Sequence, residues 1–188
     1  MIKKIDENLT LTGYGVTLHR LTHDKIELLR QWRNDPKIQQ YMIYRDYITP
    51  EMQETWFQRI NNEHNFYFII EYDGREVGMI NIKDVDYEKK TGEPGMFLYD
   101  DTLWNSDVGM RASMCFGHFV WDTLALESMY IHVLASNKRA LQYNMLCGYE
   151  LVPGYEDKEN LLLVITREKA KNPSPRFARI KKALSKGY

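Results

Sequence analysis

A strand, a helix and a second strand follow one another between residues 96 and 134 of this chain. Met96–Asp100 and Met129–Leu134 are β-type apolar runs, and apolar residues between them recur at helical spacing. A strand–helix–strand connection of this kind places its two strands parallel in one sheet. The sequence therefore predicts a parallel crossover near the middle of a sheet.

The other segments predict an α/β (α+β) fold around this crossover. Four further runs have β-type composition: Thr12–Leu21, Phe66–Tyr72, Glu76–Val85 and Asn160–Lys169. Three segments with polar caps predict helices: Thr22–Pro36, Thr49–Ile60 and Lys138–Leu146. The run that begins at Asn160 is expected to close the sheet. The expected sheet is mixed and mostly antiparallel, with helices on both faces.

Length, charge and cysteine content limit the class of protein. One domain is expected of 188 residues, with residues 1–170 as the folded unit and 171–188 as a basic tail. The net charge of −1 does not favour nucleic acid, and no apolar run is long enough for a signal peptide or a membrane span. Cys115 and Cys147 are expected to be buried free thiols in a reducing cytoplasm, not metal ligands.

The basic tail contains an amphipathic segment. Phe177, Ile180 and Leu184 fall on one helical face behind a Pro-Ser-Pro sequence. Such a helix either packs on its own domain, which is the preferred interpretation, or contacts a membrane surface or an acidic partner.

The loop that follows the first parallel strand has features of an anion-binding helix start. Gly109 lets a ligand approach the backbone closely, and Arg111 adds a positive charge near the N–H groups of the helix. If the two parallel strands separate at their C-terminal ends, an extended ligand with amide groups supplies partners for the unpaired backbone. Asn137, at the mouth of that gap, is either a helix cap or a contact of such a ligand.

Several motifs in their order along the chain resemble the GNAT superfamily of acetyl-CoA-dependent N-acetyltransferases. The resemblance spans roughly Gly15–Arg167. It rests on "DGREVGMINI", on "GEPGMFLYD" with its E-x-G opening, on "VGMRA", and on "HFVWDTLALESMYIHVLASNKRALQYNMLCGYELV" with its N-x-x-A and Gly-aromatic positions. It implies a GNAT fold with a splayed parallel strand pair, and acetyl-CoA as the cofactor.

The resemblance also implies a set of cofactor-binding residues. They are Phe97, Leu98 and Tyr99 through their backbone, Val108, Gly109, Met110 and Arg111 at the diphosphate, Asn137 at the pantetheine arm, and Arg139.

The diphosphate loop of the family, Q/R-x-x-G-x-G/A, aligns with this chain in two registers. In one, Trp104, Asp107 and Gly109 occupy the first, fourth and last positions. In the other, Ser106, Gly109 and Arg111 occupy those positions.

Acetyl transfer to an amine needs a group that removes a proton from the amine. Glu93 precedes Gly95 as a glutamate does in many relatives and is the first candidate, and His132 is the second. A backbone N–H of the Met96–Tyr99 strand is expected to stabilise the developing oxyanion. Asn144 stands where many relatives carry a tyrosine that protonates the leaving thiolate.

The first third of the chain carries the acceptor side of the resemblance. "WRND" followed by "ITPEMQETWF" looks closest to the bacterial nucleotide-amino-sugar N-acetyltransferases of the pseudaminic-acid type, in a subgroup that also holds the ribosomal-protein N-terminal acetyltransferases. Arg33 is implied to meet a nucleotide phosphate. Met42, Tyr44 and Tyr47 are implied to offer apolar and stacking surface.

Three functions follow from these motifs. The preferred one is acetylation of an amino sugar on a nucleotide diphosphate. The second is acetylation of a protein N-terminus or another small amine, and the third is a non-catalytic domain that binds CoA and regulates a partner. A homodimer is an arrangement that the resemblance allows.

Overall fold

A computed structural model describes residues 8–185, so the first residues of the expected domain and the last of the basic tail lie outside the described range. Within that range the chain forms one sheet of eight strands. They are β1 (Thr10–Gly13), β2 (Val16–Arg20), β3 (Phe66–Tyr72), β4 (Arg75–Asp86), β5 (Thr91–Leu98), β6 (Ser128–Leu134), β7 (Glu150–Leu151) and β8 (Asn160–Thr166). Their order across the sheet is β1-β2-β3-β4-β5-β6-β8-β7, and every neighbouring pair is antiparallel except β5 and β6.

The helices of the described residues cover both faces of this sheet. They are α1 (Ile26–Asn34), α2 (Pro36–Gln39), α3 (Pro50–Ile60), α4 (Val108–His118), α5 (Lys138–Cys147), α6 (Arg167–Lys171) and α7 (Pro175–Leu184). α4 and α5 pack on one side, called the α4 face, and α1 and α3 pack on the other, called the α1 face. The predicted α/β class, with one parallel pair in a mostly antiparallel sheet, is confirmed.

Local polar groups begin the helices of the first third. Thr49 Oγ1 accepts a hydrogen bond from the N–H of Met52 at 3.2 Å, with Pro50 at the first helical position. Asp35 follows α1, and its carboxylate accepts from the N–H of Lys37 at 2.9 Å to begin α2. Side-chain oxygens satisfy N–H groups that the helices cannot bond themselves.

Two apolar clusters hold the helices on the sheet. The larger lies on the α4 face, where the buried ring of Phe68 meets those of Phe116 and Phe119 edge-on. The smaller lies on the α1 face and includes Leu29 and Trp32, both buried. Burial of each large apolar side chain contributes about 1.5–3 kcal/mol, so the sheet is fixed between two helical layers.

β5 and β6 pair only at their first residues, Thr91 with Ser128 and Gly92 with Met129. Beyond this point β6 follows β8 for its whole length, while β5 follows β4. The two parallel strands therefore diverge, and a gap opens between them toward their C-terminal ends.

Three strand predictions need correction. Thr12–Leu21 is not one strand, because Tyr14 and Gly15 have φ angles of 54° and 72° and turn the chain into the β1–β2 hairpin. β5 begins at Thr91, earlier than the sequence pattern indicates, and ends at Leu98. The last strand does not close the sheet, since β8 lies between β6 and the short edge strand β7.

The C-terminal helix α7 lies against the α4 layer. Its Phe177 and Leu184 are buried in a cluster with Met110 and Met114 of α4. The amphipathic face seen in the sequence is thus covered by the same domain. None of the helices formed by residues 8–185 has the length and apolar character needed to cross a membrane.

Gly78 of β4 lies where no side chain fits, because a Cβ there would lie 2.3 Å from the carbonyl oxygen of Phe97. We expect Gly78→Ala to lower the free energy of unfolding by about 2 kcal/mol or more, since the backbone of β5 has to shift. Gly117→Ala is the control, because its Cβ would lie 3.7 Å from Cδ1 of Trp121, an ordinary contact. Chemical denaturation measures both variants, and a Gly78→Ala protein as stable as the wild type would contradict this packing.

Candidate active site

A cavity of about 1220 Å³ extends from one face of the sheet to the other at the gap between β5 and β6. Gly109 and Ser113 line it on the α4 face, and Arg33 and Tyr67 line it on the α1 face. A molecule that lies in the gap therefore meets side chains of both helical layers.

The edge of β5 that faces the gap carries free backbone groups. The N–H of Tyr99 donates to the carbonyl of Val77 at 2.8 Å, and this register assigns the odd-numbered residues of β5 to the hydrogen bonds with β4. The backbone groups of Met96 and Leu98 therefore point into the gap, beyond the last pair with β6. Such groups require partners, and an extended molecule with amide groups provides them.

Phe97 and Tyr99 do not present their backbone to the gap, contrary to the prediction. Their N–H and C=O groups face β4. Their rings pack on the α1 face, with centroids 6.3 Å and 5.2 Å from that of Trp32. The backbone N–H and C=O groups of successive strand residues point to opposite sides of the strand. Met96 therefore presents its backbone to the gap in place of Phe97 and Tyr99.

The indole of Trp104 covers part of the gap. Its Nε1–H donates to the carbonyl of Leu98 at 2.8 Å. The guanidinium of Arg139 lies 4.5 Å from the centroid of the same ring, which Tyr41 meets edge-on. Arg139 is thus held at the mouth of the gap, and the N–H of Leu98 has no partner among the described residues.

The first turn of α4 offers two N–H groups to a ligand. The N–H of Val108 donates to Ser106 Oγ at 3.2 Å, and that of Arg111 donates to the carbonyl of Asp107 at 2.9 Å. The N–H groups of Gly109 and Met110 find no acceptor within residues 8–185. Free N–H groups at a helix start, together with the helix dipole, attract an anion.

Gly109 also allows α4 to approach β5. A Cβ at this position would lie 3.3 Å from Cε of Met96 and 3.8 Å from Cδ1 of Leu98. The space that the missing side chain leaves therefore faces the strand. Glycine at this position serves close helix–strand packing, and it brings the helix start next to the free edge of β5.

Arg111 is held by its own neighbours. Its Nη2 pairs with the carboxylate of Asp107 at 2.8 Å, and its Nη1 donates to the carbonyl of Tyr14 at 3.0 Å. Asp107 offsets the positive charge of Arg111, the residue that the resemblance assigns to binding the diphosphate. Its carboxylate also lies at the helix start, where it would repel a bound phosphate.

Asn137 and Asn144 of the α5 region both line the cavity. Asn137 Oδ1 accepts from the N–H of Ala140 at 3.1 Å, so this residue is a helix cap, and its Nδ2 has no partner within the described residues. Asn144 Nδ2 donates to the carbonyl of Ala140 at 2.8 Å. Each asparagine therefore lines the cavity with one side-chain atom that has no partner within residues 8–185.

The tyrosine next to Asn144 connects α5 to α4. The hydroxyl of Tyr143 lies 2.6 Å from Ser113 Oγ and donates to the carbonyl of Gly109 at 3.2 Å. Burial raises the pKa of Tyr143 well above its ordinary value, so the hydroxyl stays neutral. It thereby holds the first turns of α4 in position against α5.

Glu93 and His132 meet across the gap on the α1 face. Glu93 Oε1 lies 3.0 Å from His132 Nδ1, and Glu93 Oε2 lies 3.0 Å from Lys83 Nζ. The Glu93 side chain is only 15% exposed, compared with 31% for His132. Both carboxylate oxygens thus have a partner, whereas His132 Nε2 has none within residues 8–185. The two candidates for the base form one hydrogen-bonded pair.

Arg33, Met42 and Tyr44 line the cavity on the α1 face. The guanidinium of Arg33 lies 5.9 Å from the ring centroid of Trp56 and has no hydrogen bond or ion pair with any described residue. Burial lowers the pKa of Arg33, because the charge is partly removed from water. A half-buried cation that has no ion-pair partner among the described residues suits an anionic ligand.

Tyr47 lies away from these residues. Its hydroxyl accepts a hydrogen bond from Arg30 Nη1 at 3.1 Å, and its ring lines a separate shallow concavity. The acceptor surface predicted from Tyr47 is therefore not part of the large cavity.

A family model described as an acetyltransferase (GNAT) domain matches residues 16–150 of the chain. The chain belongs to the GNAT acetyltransferase family. It is therefore an acetyl-CoA-dependent N-acetyltransferase, and acetyl-CoA is its acetyl donor. No curated protein sequence matches it significantly.

Solved GNAT structures share the fold at low sequence identity. Apo FdhC, a nucleotide-linked sugar GNAT, has a TM-score of 0.75 and 19% identity, over 95% of this chain and 98% of that chain. Spermidine N-acetyltransferase from Vibrio cholerae, in complex with CoA and spermine, has a TM-score of 0.75 and 15% identity, over 85% of this chain and 100% of that chain. Campylobacter jejuni N-acetyltransferase PseH has a TM-score of 0.62 and 18% identity, over 81% of this chain and 99% of that chain. These likenesses support the fold and do not choose an acceptor.

The GNAT cofactor fits the free polar groups of the gap. Met96 and Leu98 would bond the amides of the pantetheine arm, and the N–H groups of Gly109 and Met110 would bond the diphosphate. Asn137 Nδ2 would donate to the same arm. Bound acetyl-CoA supplies the acyl group as a reactive thioester.

Two groups of the GNAT site were missed in the sequence. Met96 escaped because the register of β5 on β4 decides which residues face the gap. Lys83 escaped because its contact with Glu93 depends on cross-strand pairing. The turn between the two strands, "YEKK", has no two-residue hairpin signature that would have specified this pairing.

We expect Asp107→Asn to strengthen CoA binding by roughly 2- to 5-fold, since removal of a like charge at a helix start is worth about 0.3–1 kcal/mol. Asparagine is also a good N-cap, so α4 is retained. Calorimetric titration with CoA measures the effect, which should shrink at high salt. Glu127→Gln is an exposed control that should not alter binding. Weaker CoA binding by Asp107→Asn would contradict this assignment of the diphosphate.

Proposed function

We propose that this GNAT enzyme acetylates an amino sugar that is linked to a nucleotide diphosphate, by direct attack of the amine on acetyl-CoA in a ternary complex. The single observation that carries this proposal is the uncompensated Arg33 on the acceptor side of the cavity. A guanidinium binds phosphate through two parallel hydrogen bonds, which suits a nucleotide diphosphate.

The charges around Arg33 favour an anionic acceptor over a polyamine. Arg33, Arg59 and Lys83 line the α1 side of the cavity together with Asp84 and Glu93. Lys83 already pairs with Glu93, so two arginines remain against one exposed aspartate. A polyamine carries several positive charges and needs carboxylates in excess.

The segment between α2 and α3 suits a ring-shaped ligand. Tyr41, Ile43 and Tyr44 are exposed and line the same cavity near Arg33. Exposed aromatic and aliphatic side chains at the rim of a pocket offer stacking surface to a base or a sugar.

The contact between Glu93 and His132 supports different roles for the two residues in the reaction. The carboxylate of Glu93 is engaged by Lys83 and by His132 Nδ1, which leaves His132 Nε2 as the free acceptor of a proton. We therefore assign His132 as the general base and Glu93 as the residue that orients its ring.

The reaction then proceeds by a single displacement. As the amine nitrogen forms a bond to the thioester carbon, His132 Nε2 takes the proton of the amine. The N–H of Met96, which points into the gap, would donate to the developing oxyanion. The carbon–sulfur bond breaks, and the thiolate of CoA leaves and takes its proton from solvent. Asn144 carries no ionisable proton, so it does not act as the acid.

A panel of amines tests the function. Release of free CoA is followed with nucleotide-linked amino-deoxyhexoses (UDP- and dTDP-linked), with spermidine and with a short peptide that has a free N-terminus. We expect turnover of at least one nucleotide-linked sugar and little of the others. Efficient turnover of spermidine or of the peptide, with none of the sugars, would reject the proposal.

Arg33→Met should raise KM for the nucleotide-linked sugar by roughly 10- to 100-fold, because a charge-assisted hydrogen bond is worth about 1.5–3 kcal/mol. KM for acetyl-CoA should stay unchanged, since Arg33 lies on the acceptor side. Arg179→Met, at an exposed position of α7, is the matched control. An unchanged KM for the sugar in Arg33→Met would remove Arg33 from acceptor binding.

His132→Ala should lower kcat/KM at neutral pH by about 10²- to 10⁴-fold, the usual contribution of a general base. Added imidazole should restore part of the rate, and the loss should shrink at alkaline pH, where the free amine is abundant. Glu93→Gln should cost less, roughly 10-fold, because the histidine keeps its Nε2.

His23→Ala is the control for this experiment. His23 forms an exposed pair with Glu54, at 2.7 Å, away from the cavity. A larger loss in Glu93→Gln than in His132→Ala, without rescue by imidazole, would make Glu93 the base instead.

A further inference from the structure

Asn81 of β4 is a polar residue at the floor of the acceptor side of the cavity. It is only 6% exposed, yet its side chain has no hydrogen bond with any of residues 8–185. It lines the cavity on the α1 face, because it lies two residues from Met79 of the apolar cluster there. The amide lines the cavity, so its donor and its acceptor are available to a molecule that binds there.

Tyr67 stands next to Asn81. The two residues are direct partners in the pairing of β3 with β4, so their side chains lie on the same face. The Tyr67 ring is 8% exposed and meets Trp56 edge-on, but its hydroxyl has no hydrogen bond within the described residues. Burial raises the pKa of Tyr67 to about 12, so the hydroxyl is neutral and remains a hydrogen-bond donor at working pH.

Gly95 of β5 makes room for the Asn81 side chain. It is the partner of Asn81 on the other side of β4, and a Cβ on it would lie 2.9 Å from Asn81 Oδ1. The amide therefore extends over a residue without a side chain, on a floor that is open to the cavity.

The next row of side chains on this face contains the proposed catalytic pair. Lys83 of β4 pairs with Glu93 of β5, two residues along the strands from the pair formed by Asn81 and Gly95. This separation is about 7 Å. Glu93 in turn contacts His132. A substrate whose amine lies near His132 would thus bring its adjacent atoms over Asn81 and Tyr67. Arg33, whose guanidinium lies 5.9 Å from the ring centroid of Trp56, is left for the phosphate.

The chemistry of these groups selects what they bind. An amide presents a donor and an acceptor side by side, and a neutral phenol does the same with one oxygen. A phosphate uses only the donors and an ammonium group only the acceptors, whereas hydroxyl groups use both. The Trp56 and Tyr67 rings beside them offer apolar surface to the C–H groups of a sugar ring.

We infer that Asn81 and Tyr67 form a subsite for the ring hydroxyl groups next to the reacting amine, and that this subsite makes the enzyme select a hydroxylated amine. The inference rests on the proposed function and deepens it, since Arg33 recognises the nucleotide and this pair recognises the sugar. It assigns the specificity for the sugar ring to two strands of the rigid sheet.

The test compares two synthetic probes. One is a dTDP-linked amino-deoxyhexose with hydroxyl groups on the carbons next to the amine, and the other is the analogue in which hydrogen replaces those hydroxyls. We expect wild-type kcat/KM to favour the hydroxylated probe by roughly 10-fold or more. Asn81→Leu and Tyr67→Phe should each reduce this preference about 10-fold while KM for acetyl-CoA stays the same.

Two matched substitutions control for structural damage. Asn172→Leu and Tyr72→Phe change the same residue types away from the subsite and should retain the preference. Thermal unfolding shows which variants are folded. Tyr67→Phe removes one oxygen atom and keeps the ring, so the test relies on this variant if Asn81→Leu is unstable.

The outcomes separate this inference from the proposed function. Equal use of both probes by the wild type, or a preference that survives both substitutions, overturns the subsite while the function stands. If neither sugar is acetylated but spermidine is, and Asn81→Leu leaves that activity unchanged, both proposals fail. If the panel identifies another acceptor that carries hydroxyl groups, a loss of its turnover in Asn81→Leu supports the subsite alone.

Discussion

The separation of β5 from β6 after only two residue pairs is the constraint on which the rest of the site depends. β6 is fully paired with β8 on its other side, and β5 with β4. Each strand is thus held without the other, and the backbone of Met96 and the N–H of Leu98 have no partner among residues 8–185. Gly109 brings the start of α4 against this free edge. A backbone edge and a helix start, both lacking partners, therefore meet in one place that suits an extended anionic donor.

The same gap connects the donor and acceptor sides of the enzyme. Glu93 on β5 and His132 on β6 bridge the two strands by a side-chain contact of 3.0 Å, just beyond the point where backbone pairing ends. The bridge joins the two strands on the α1 face and leaves the backbone edge of β5 free. Lys83 fixes the carboxylate from a third strand, β4. The proposed base is therefore positioned by the rigid sheet and not by a loop, which favours a constant geometry.

Charge distribution separates the two sides further. On the donor side, Asp107 holds Arg111, so most of the attraction for a diphosphate comes from helix N–H groups. On the acceptor side, Arg33 lies against Trp56 without a carboxylate. Arg33 is half-buried and lacks a counterion among residues 8–185, so its charge is available to an anionic ligand. This difference supports an anionic acceptor more directly than the likeness to any solved structure does.

By itself the sequence determined the GNAT family, the parallel crossover, the helix start at Thr49, and the segments that supply the cavity, because these depend on local patterns of a few residues. Only the tertiary structure decided that Phe97 and Tyr99 face β4, that Tyr47 lies outside the cavity, and that Glu93 meets His132. The physical reason is that a strand exposes alternate residues to opposite sides, so a shift of one position in pairing reverses every assignment. Contacts between residues distant in the chain are set by that register, which no local pattern contains.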